Sequence, residues 1–281
     1  MPLVSTGRLI TDAQRRGVGL AAFNVITLEH AEAIAAGAEA AGRPAVLQLS
    51  ENAVRFRAGR PGPLAAAVAR IAQESSAPLS LHLDHVVSVE LLHSAPELGA
   101  SSVMFDASKL EYEDNVKATA EAVRFGHDEG LWVEAELGAV GGKAGDAHTP
   151  GVRTDPAEAA AYTAATGIDA LAVAVGSTHA MTRRTAALDH RLIARLREAV
   201  PVPLVLHGSS GVPDGEIRRA VDAGMVKINV GTALNTAFTG AVRDRLAAHP
   251  EGVDPRAYLA PARTAMTQTV AHFLAVIDVS P

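Results

Sequence analysis

Cysteine is absent from the 281 residues, which removes disulfides, thiolate metal ligands and a thiol nucleophile together. A basic excess is absent too. Lys and Arg total 25 against 31 Asp and Glu, a net charge of −6, whereas a general nucleic-acid face needs the opposite sign to displace counterions. No apolar run reaches the length of a membrane-spanning helix, because Asp, Arg, Gly or Pro interrupts each one. No basic amphipathic segment suggests a membrane surface, and the opening MPLVSTGRLI lacks the charged and apolar regions of a secretion signal. These absences lead us to expect a soluble, cytoplasmic protein with no nucleic-acid and no membrane partner. Any metal in it would be held by histidine and carboxylate.

What is present is alternation. Apolar runs of strand length fall at 18–24, 45–50, 79–85, 102–107, 132–137, 170–177, 203–207 and 226–230. Between them lie stretches rich in Ala, Glu and Arg with helical spacing, at 29–41, 61–75, 111–129, 156–166, 188–199 and 213–223. Thr27, Ser88, Asp155–Pro156 and Pro213–Asp214 mark helix starts, and 255–278 reads as an extra C-terminal helix or two. Eight strand–helix units in this length, with near-continuous apolar strands, point to an α/β fold, a (β/α)8 TIM barrel occupying 1–281 as one domain. A doubly wound open sheet is the alternative; it needs a topological switch point and differently spaced units. The segment 138–156, GAVGGKAGDAHTPGVRTDP, is long for a connection in a compact domain and reads as a functional loop after strand five.

Three histidines fall where strand-like runs hand over to loops: His85 after LSLHLD, His179 after LAVAVGST and His207 after VPLVL. In a parallel barrel such positions converge on one mouth. Three neutral imidazoles meeting there make a zinc site with an open fourth position, the arrangement used for catalysis. His30, His93, His127, His190, His249 and His272 carry no such pattern and read as ordinary surface or core residues.

Asp84, beside His85, is placed for proton transfer next to a metal, or else caps the next helix or pairs with an arginine. HGSSG (207–211) and NVGT (229–232) are small-residue loops, each leading into a helix, where backbone N–H groups and a helix N-terminus favour an anion. The loops after strands seven and eight are the common phosphate site of such barrels. Glu134 and Glu136 share one face of strand five and Asp106 ends strand four; these carboxylates are candidates for metal ligand, base or salt bridge. Lys227 faces the same way as Asn229. It lies early in its strand, so a buried carboxylate partner suits it better than a Schiff base.

The segments AFN (22–24), HLDH (82–85), SSVMFDAS (101–108), VEAELG (133–138), GSTHA (176–180), VPLVLHGSSG (202–211), KINVGT (227–232) and DPRAYLAPARTAM (254–266) closely resemble the class II fructose-bisphosphate aldolases. The similarity is strongest to the tagatose-bisphosphate and short fructose-bisphosphate branch, and it covers nearly the whole chain. The resemblance implies a lyase of carbohydrate metabolism, in glycolysis for the fructose substrate. It would cleave a ketose 1,6-bisphosphate, fructose or tagatose, to dihydroxyacetone phosphate and glyceraldehyde 3-phosphate through a zinc-stabilised enediolate. It further implies that His85, His179 and His207 bind Zn2+ or another divalent ion in its place. Asp84 would exchange a proton with the C4 hydroxyl, and Asp106 and Glu136 would lie near a second metal position. Gly208, Ser210, Asn229 and Thr232 would cradle the phosphate with Na+ or K+ nearby, and Asn24 and Ser50 would line the pocket. A sugar phosphate is the implied partner, and a homodimer or homotetramer the implied assembly.

The chain departs from the family at three places. The loop after strand five reads GGKAGD, with Lys143 and Ala144 where acidic residues are expected, leaving Asp146 or His148 as candidates for the missing loop acid. Ala180 replaces the glycine that usually follows the second zinc histidine, and Gly231 stands where the longer fructose branch has Asp and the tagatose branch Ala. Arg55, Arg57 and Arg153 are candidates for the distal phosphate. These departures keep two alternatives in view: a related aldolase with a different aldehyde partner, and a catalytically weak barrel that binds sugar phosphate.

Overall fold

Strands alternating with helices close on themselves in a computed structural model of the chain, which describes residues 3–137, 152–178 and 180–278. The strands are β1 (Leu20–Asn24), β2 (Ala45–Ser50), β3 (Leu79–Val86), β4 (Ser102–Phe105), β5 (Trp132–Glu136), β6 (Ala170–Ala172), β7 (Leu204–Leu206) and β8 (Met225–Val230). They form a closed parallel barrel in sequence order, β8 pairing back onto β1. The helices are α1 (Thr6–Arg16), α2 (Leu28–Ala41), α3 (Glu51–Phe56), α4 (Gly62–Glu74), α5 (Val89–Ser94), α6 (Tyr112–Asp128), α7 (Pro156–Thr166), α8 (His190–Ala199), α9 (Asp214–Ala223), α10 (Thr232–Ala248) and α11 (Pro255–Ile277). The fold is the (β/α)8 barrel with an added C-terminal helix.

Strand periodicity divides the barrel wall into two faces. Ala21, Phe23, Leu47, Leu49, Leu81, Leu83, Val133 and Ile228 belong to the apolar layer that packs against the helices. The alternate positions point inward and carry polar groups: Gln48, Ser80, His82, Asp84, Ser102, Glu134, Glu136, Lys227 and Asn229, all buried. At the N-terminal end α1 packs Leu9, Ile10 and Ala13 against Leu20, Ala22, Val46 and Val226. That amphipathic helix falls in a stretch where we expected no element. The short helix α3 was likewise unexpected; Ser50 starts it by accepting a bond from the Ala53 N–H.

Two expected helix starts carry capping bonds: Ser88 accepts from Leu91 N–H and Asp155 from Ala157 and Glu158 N–H. Thr27 makes no such bond, its hydroxyl instead pairing with His30 Nδ1 at 3.0 Å. The C-terminal segment is one helix containing Pro261, and it packs against α2 and α10. The sixth strand corrects our expectation most: it ends at Ala172 rather than at 177. Past that point the chain leaves the sheet so that Thr154 can pair with it, donating its N–H to Ala174 O and accepting the Ala174 N–H on its hydroxyl. Among the described residues no helix is long and apolar enough to cross a membrane.

Candidate active site

At the C-terminal mouth of the barrel lies a cavity of about 660 Å³. Nine of the expected site residues line it: Asn24, Ser50, Asp84, His85, Asp106, Gly208, Ser210, Asn229 and Thr232. His179, Asp146 and His148 lie outside the described residues.

Asp84 and His85 reach the same cavity although neighbours in a strand should face opposite ways. A break in register between Leu83 and Val86 explains it. His85 takes φ +49°, the left-handed region, a conformation that costs a side-chain-bearing residue about 1–2 kcal/mol. The bulge re-aims the imidazole inward, the use to which such irregularities are put beside active sites. There the His85 ring meets the His207 ring edge-on, centroids 4.8 Å apart. One ligand atom from each of His85, Glu136 and His207 lies within 4.8 Å of the others. Two imidazoles and a carboxylate at that spacing are a donor set that fits a divalent ion of zinc type.

Both histidines are steered from behind. His85 Nδ1 donates to Asp106 Oδ2 at 2.8 Å, and Asp106 Oδ1 accepts from the Ser108 hydroxyl and N–H. His207, fully buried, contacts Glu134 Oε1 through Nε2 at 3.1 Å, with Glu136 Oε2 3.8 Å from its Nδ1. Lys227 Nζ donates to Glu134 Oε2 at 2.7 Å, both side chains wholly out of solvent. Burial alone would raise the Glu134 carboxyl, but the Lys227 ammonium and the bond from His207 outweigh it and hold it well below the ordinary range. His82, just beneath, is pushed down to about 3 by burial, with the Lys227 charge adding to the effect.

Asp84 is held by Asn24, whose Nδ2 donates to Asp84 Oδ2 at 3.3 Å, and Asn24 Oδ1 in turn accepts from Gln48 Nε2 at 3.0 Å. Burial opposes the Asp84 charge, yet His85, Lys227 and His207 together lower its carboxyl. Asp84 Oδ1, Asn229 Oδ1 and Gln48 Oε1 are buried with no hydrogen-bond partner among the described residues; a polar ligand in the cavity would satisfy them. The residue at 231 governs this chain of bonds. A Cβ there would sit 2.7 Å from Asn24 Oδ1, so glycine is what lets Asn24 stand between Gln48 and Asp84.

The loop after β7 is shaped by close approach. Gly208 has φ +70°, and a Cβ on it would lie 2.4 Å from Thr178 O. Ser210 Oγ accepts the Ala233 N–H in the first turn of α10, joining the two phosphate-type loops. Ala180, at the rim, has φ +58°. Left-handed alanine costs about 1–2 kcal/mol and glycine loses about 0.5–1 kcal/mol more entropy on folding. Ala180→Gly is therefore expected to stabilise the protein by about 0.5–1 kcal/mol in urea denaturation; a lower midpoint would show that the methyl is packed, not merely tolerated.

Sequence reasoning missed His82, Gln48, Asn235 and Lys109, the last three on the cavity wall. Of the three arginines proposed for a distal phosphate, Arg55 lines the cavity, paired with Glu51. Arg57 donates to Ile26 O and Arg153 to Val152 O, both bonds being exposed. His30, read as an ordinary residue, is buried, stacks on Phe238 and holds Asn235 at 3.3 Å.

The family profile described as fructose-bisphosphate aldolase class-II matches residues 4–280. The probable fructose-bisphosphate aldolase of Bacillus subtilis (strain 168) is 39% identical over 272 residues, covering 96% of this chain and 95% of that protein. The fructose-bisphosphate aldolase of Geobacillus stearothermophilus is 39% identical over 273 residues, with 96% and 95% covered. Among solved structures, the YdjI aldolase from Escherichia coli K12 superposes with a TM-score of 0.86 at 31% identity, over 99% of this chain and 98% of that one.

Proposed function

Because the chain belongs to the class II fructose-bisphosphate aldolase family, and is an aldolase, a carbon–carbon lyase, we propose that it reversibly cleaves a ketose 1,6-bisphosphate, fructose or tagatose, to dihydroxyacetone phosphate and glyceraldehyde 3-phosphate. The observation that carries this reading is the convergence of Asp84 and His85 with the Gly208–Ser210 and Asn229–Thr232 loops in one cavity, with the His207 ring packed edge-on against His85. His85, His179 and His207 would hold the metal, with Glu136 close by; zinc suits their nitrogen-rich set. When bound, such an ion supplies Lewis-acid stabilisation of the negative charge that develops on the ketone oxygen as C3–C4 breaks.

The protein's own groups do the rest. Gly208, Ser210, Asn229 and Thr232 bind the phosphate next to the ketone, with a monovalent cation nearby. They fix the sugar so that the breaking bond lies at the imidazoles. Asp84 takes the proton from the C4 hydroxyl in cleavage and returns it in condensation; a second acid, for which Asp146 and His148 are the candidates, would give C3 its proton in cleavage and remove it in condensation. Asn24, itself held by Gln48, fixes the other Asp84 oxygen, Oδ2, and Asn24 and Ser50 line the sugar pocket. The second reading is an aldolase with another aldehyde partner. It is favoured by the wall around Arg55, where Glu51 already engages the guanidinium and Asn52 is neutral.

Turnover of fructose and tagatose 1,6-bisphosphates in a coupled dihydroxyacetone phosphate assay, with zinc-loaded and chelated protein, tests both. Chelator-sensitive cleavage is expected, and the faster epimer names the substrate. Zinc-replete protein that cleaves neither sugar, but condenses dihydroxyacetone phosphate with a different aldehyde, would replace the first reading by the second.

A further inference from the structure

Beneath the cavity, and outside the residues that line it, lies a cluster of charged and polar side chains: Glu134, Lys227, His82 and Ser102 are all fully buried. Ion pairs inside a barrel are costly, because desolvating two charges offsets most of their attraction. Among the described residues, the cluster's hydrogen bond toward the substrate side goes to His207, and its use lies there.

The hydrogen bonds fix every proton in the cluster. Lys227 Nζ donates to Glu134 Oε2 at 2.7 Å. Glu134, ionised by that ammonium, can only accept from His207, so His207 Nε2 carries the hydrogen of the 3.1 Å contact to Glu134 Oε1. The lone pair of His207 is thereby on Nδ1, the nitrogen on the side of Glu136. On the other flank Ser102 donates its hydroxyl hydrogen to Thr6 Oγ1 at 2.6 Å and therefore accepts from His82 Nδ1 at 2.8 Å. That leaves the His82 lone pair on Nε2, 4.0 Å from Glu134 Oε2. His82 thus offers Glu134 no competing donor, and the carboxylate's two oxygens remain divided between Lys227 and His207.

We propose that Glu134, anchored by Lys227, is a positioning residue that selects the Nε2–H tautomer of His207 and so presents Nδ1 as the metal-binding atom. His85 is set the opposite way: its Nδ1 carries the hydrogen bonded to Asp106 Oδ2, so its lone pair lies on Nε2. The two ligands therefore use different ring nitrogens, each chosen by a carboxylate behind the ring. A histidine with no such partner divides between two tautomers, and only one of them can bind. The proposal rests on the reading of His207 as a metal ligand, but the tautomer itself does not need metal to be observed.

The test uses Glu134→Gln/Lys227→Met, which removes both buried charges together and so avoids leaving either unpaired. An amide can accept from or donate to His207 Nε2, so the bias is lost while the shape is kept. Long-range nitrogen–proton NMR on metal-free protein is expected to show His207 as Nε2–H in the parent and as a mixture or as Nδ1–H in the double variant, with His85 unchanged in both. Zinc affinity, by competition with a chromophoric chelator, is expected to fall about 10–100-fold in the double variant. An Nδ1–H parent, or a folded double variant with parent-like zinc affinity, overturns the proposal. A parent that holds the Nε2–H tautomer but binds no zinc would instead overturn the metal reading of the site and leave the steering by Glu134 intact.

Discussion

Asp84→Asn is expected to lower kcat for ketose bisphosphate cleavage by about 10²–10⁴-fold, the contribution of a positioned proton-transfer group. KM is expected to change little. Asparagine keeps the shape of the side chain, and its amide oxygen can still accept the bond from Asn24 Nδ2. The loops proposed to bind the phosphate are built on Gly208, Ser210 and Asn229 and do not touch position 84 through any bond described for them. What is lost is the proposed proton acceptor, Oδ1, the buried oxygen with no partner among the described residues. Steady-state kinetics should accompany metal analysis, because the charge of Asp84 faces His85 and His207. A kcat fall with full metal content locates the defect in proton transfer. A parent-like kcat would remove Asp84 from the chemistry.

The strands were legible because each is an apolar run whose alternate positions must satisfy either helices or a barrel interior. Parity carries further than we took it. His82 lies two residues before Asp84 and so shares its inward face, as Glu134 and Glu136 were read to share theirs. The single polar residue inside AVLQLS, Gln48, is inward for the same reason, opposite His82 in the register. Those residues were readable from spacing. Others were not. Parity puts His85 on the outer face, and only the register break with φ +49° returns it to the mouth. Lys109 sits in a loop without periodicity and Asn235 in a helix whose one buried residue is Leu234, so no apolar stripe orients it. The early end of β6 follows from a pairing with Thr154, twenty residues away from Ala174, which no local pattern contains.

Lys227→Met is expected to destabilise the protein by about 3–5 kcal/mol at neutral pH, the typical cost of breaking a buried pair from one side. Methionine fills much the same volume, so the loss is one of charge. Glu134 keeps its bond to His207 but loses the ammonium, the largest of the influences that oppose the effect of its burial. Its carboxyl should then rise above the unfolded value of about 4.3. A group raised in the folded state contributes stability that is complete below its unfolded pKa and is lost as pH rises through the folded one. The deficit of Lys227→Met should therefore be smaller at pH near 5 than at pH near 8, whereas in the parent Glu134 is lowered and acts in the reverse sense. Glu134→Gln in the same background should recover most of the loss, because no buried charge then remains. Urea denaturation of the three proteins at the two pH values decides it. If Glu134→Gln adds to the damage instead of relieving it, the cost lies in packing around position 227, and the ion pair is a consequence of the fold rather than a constraint upon it.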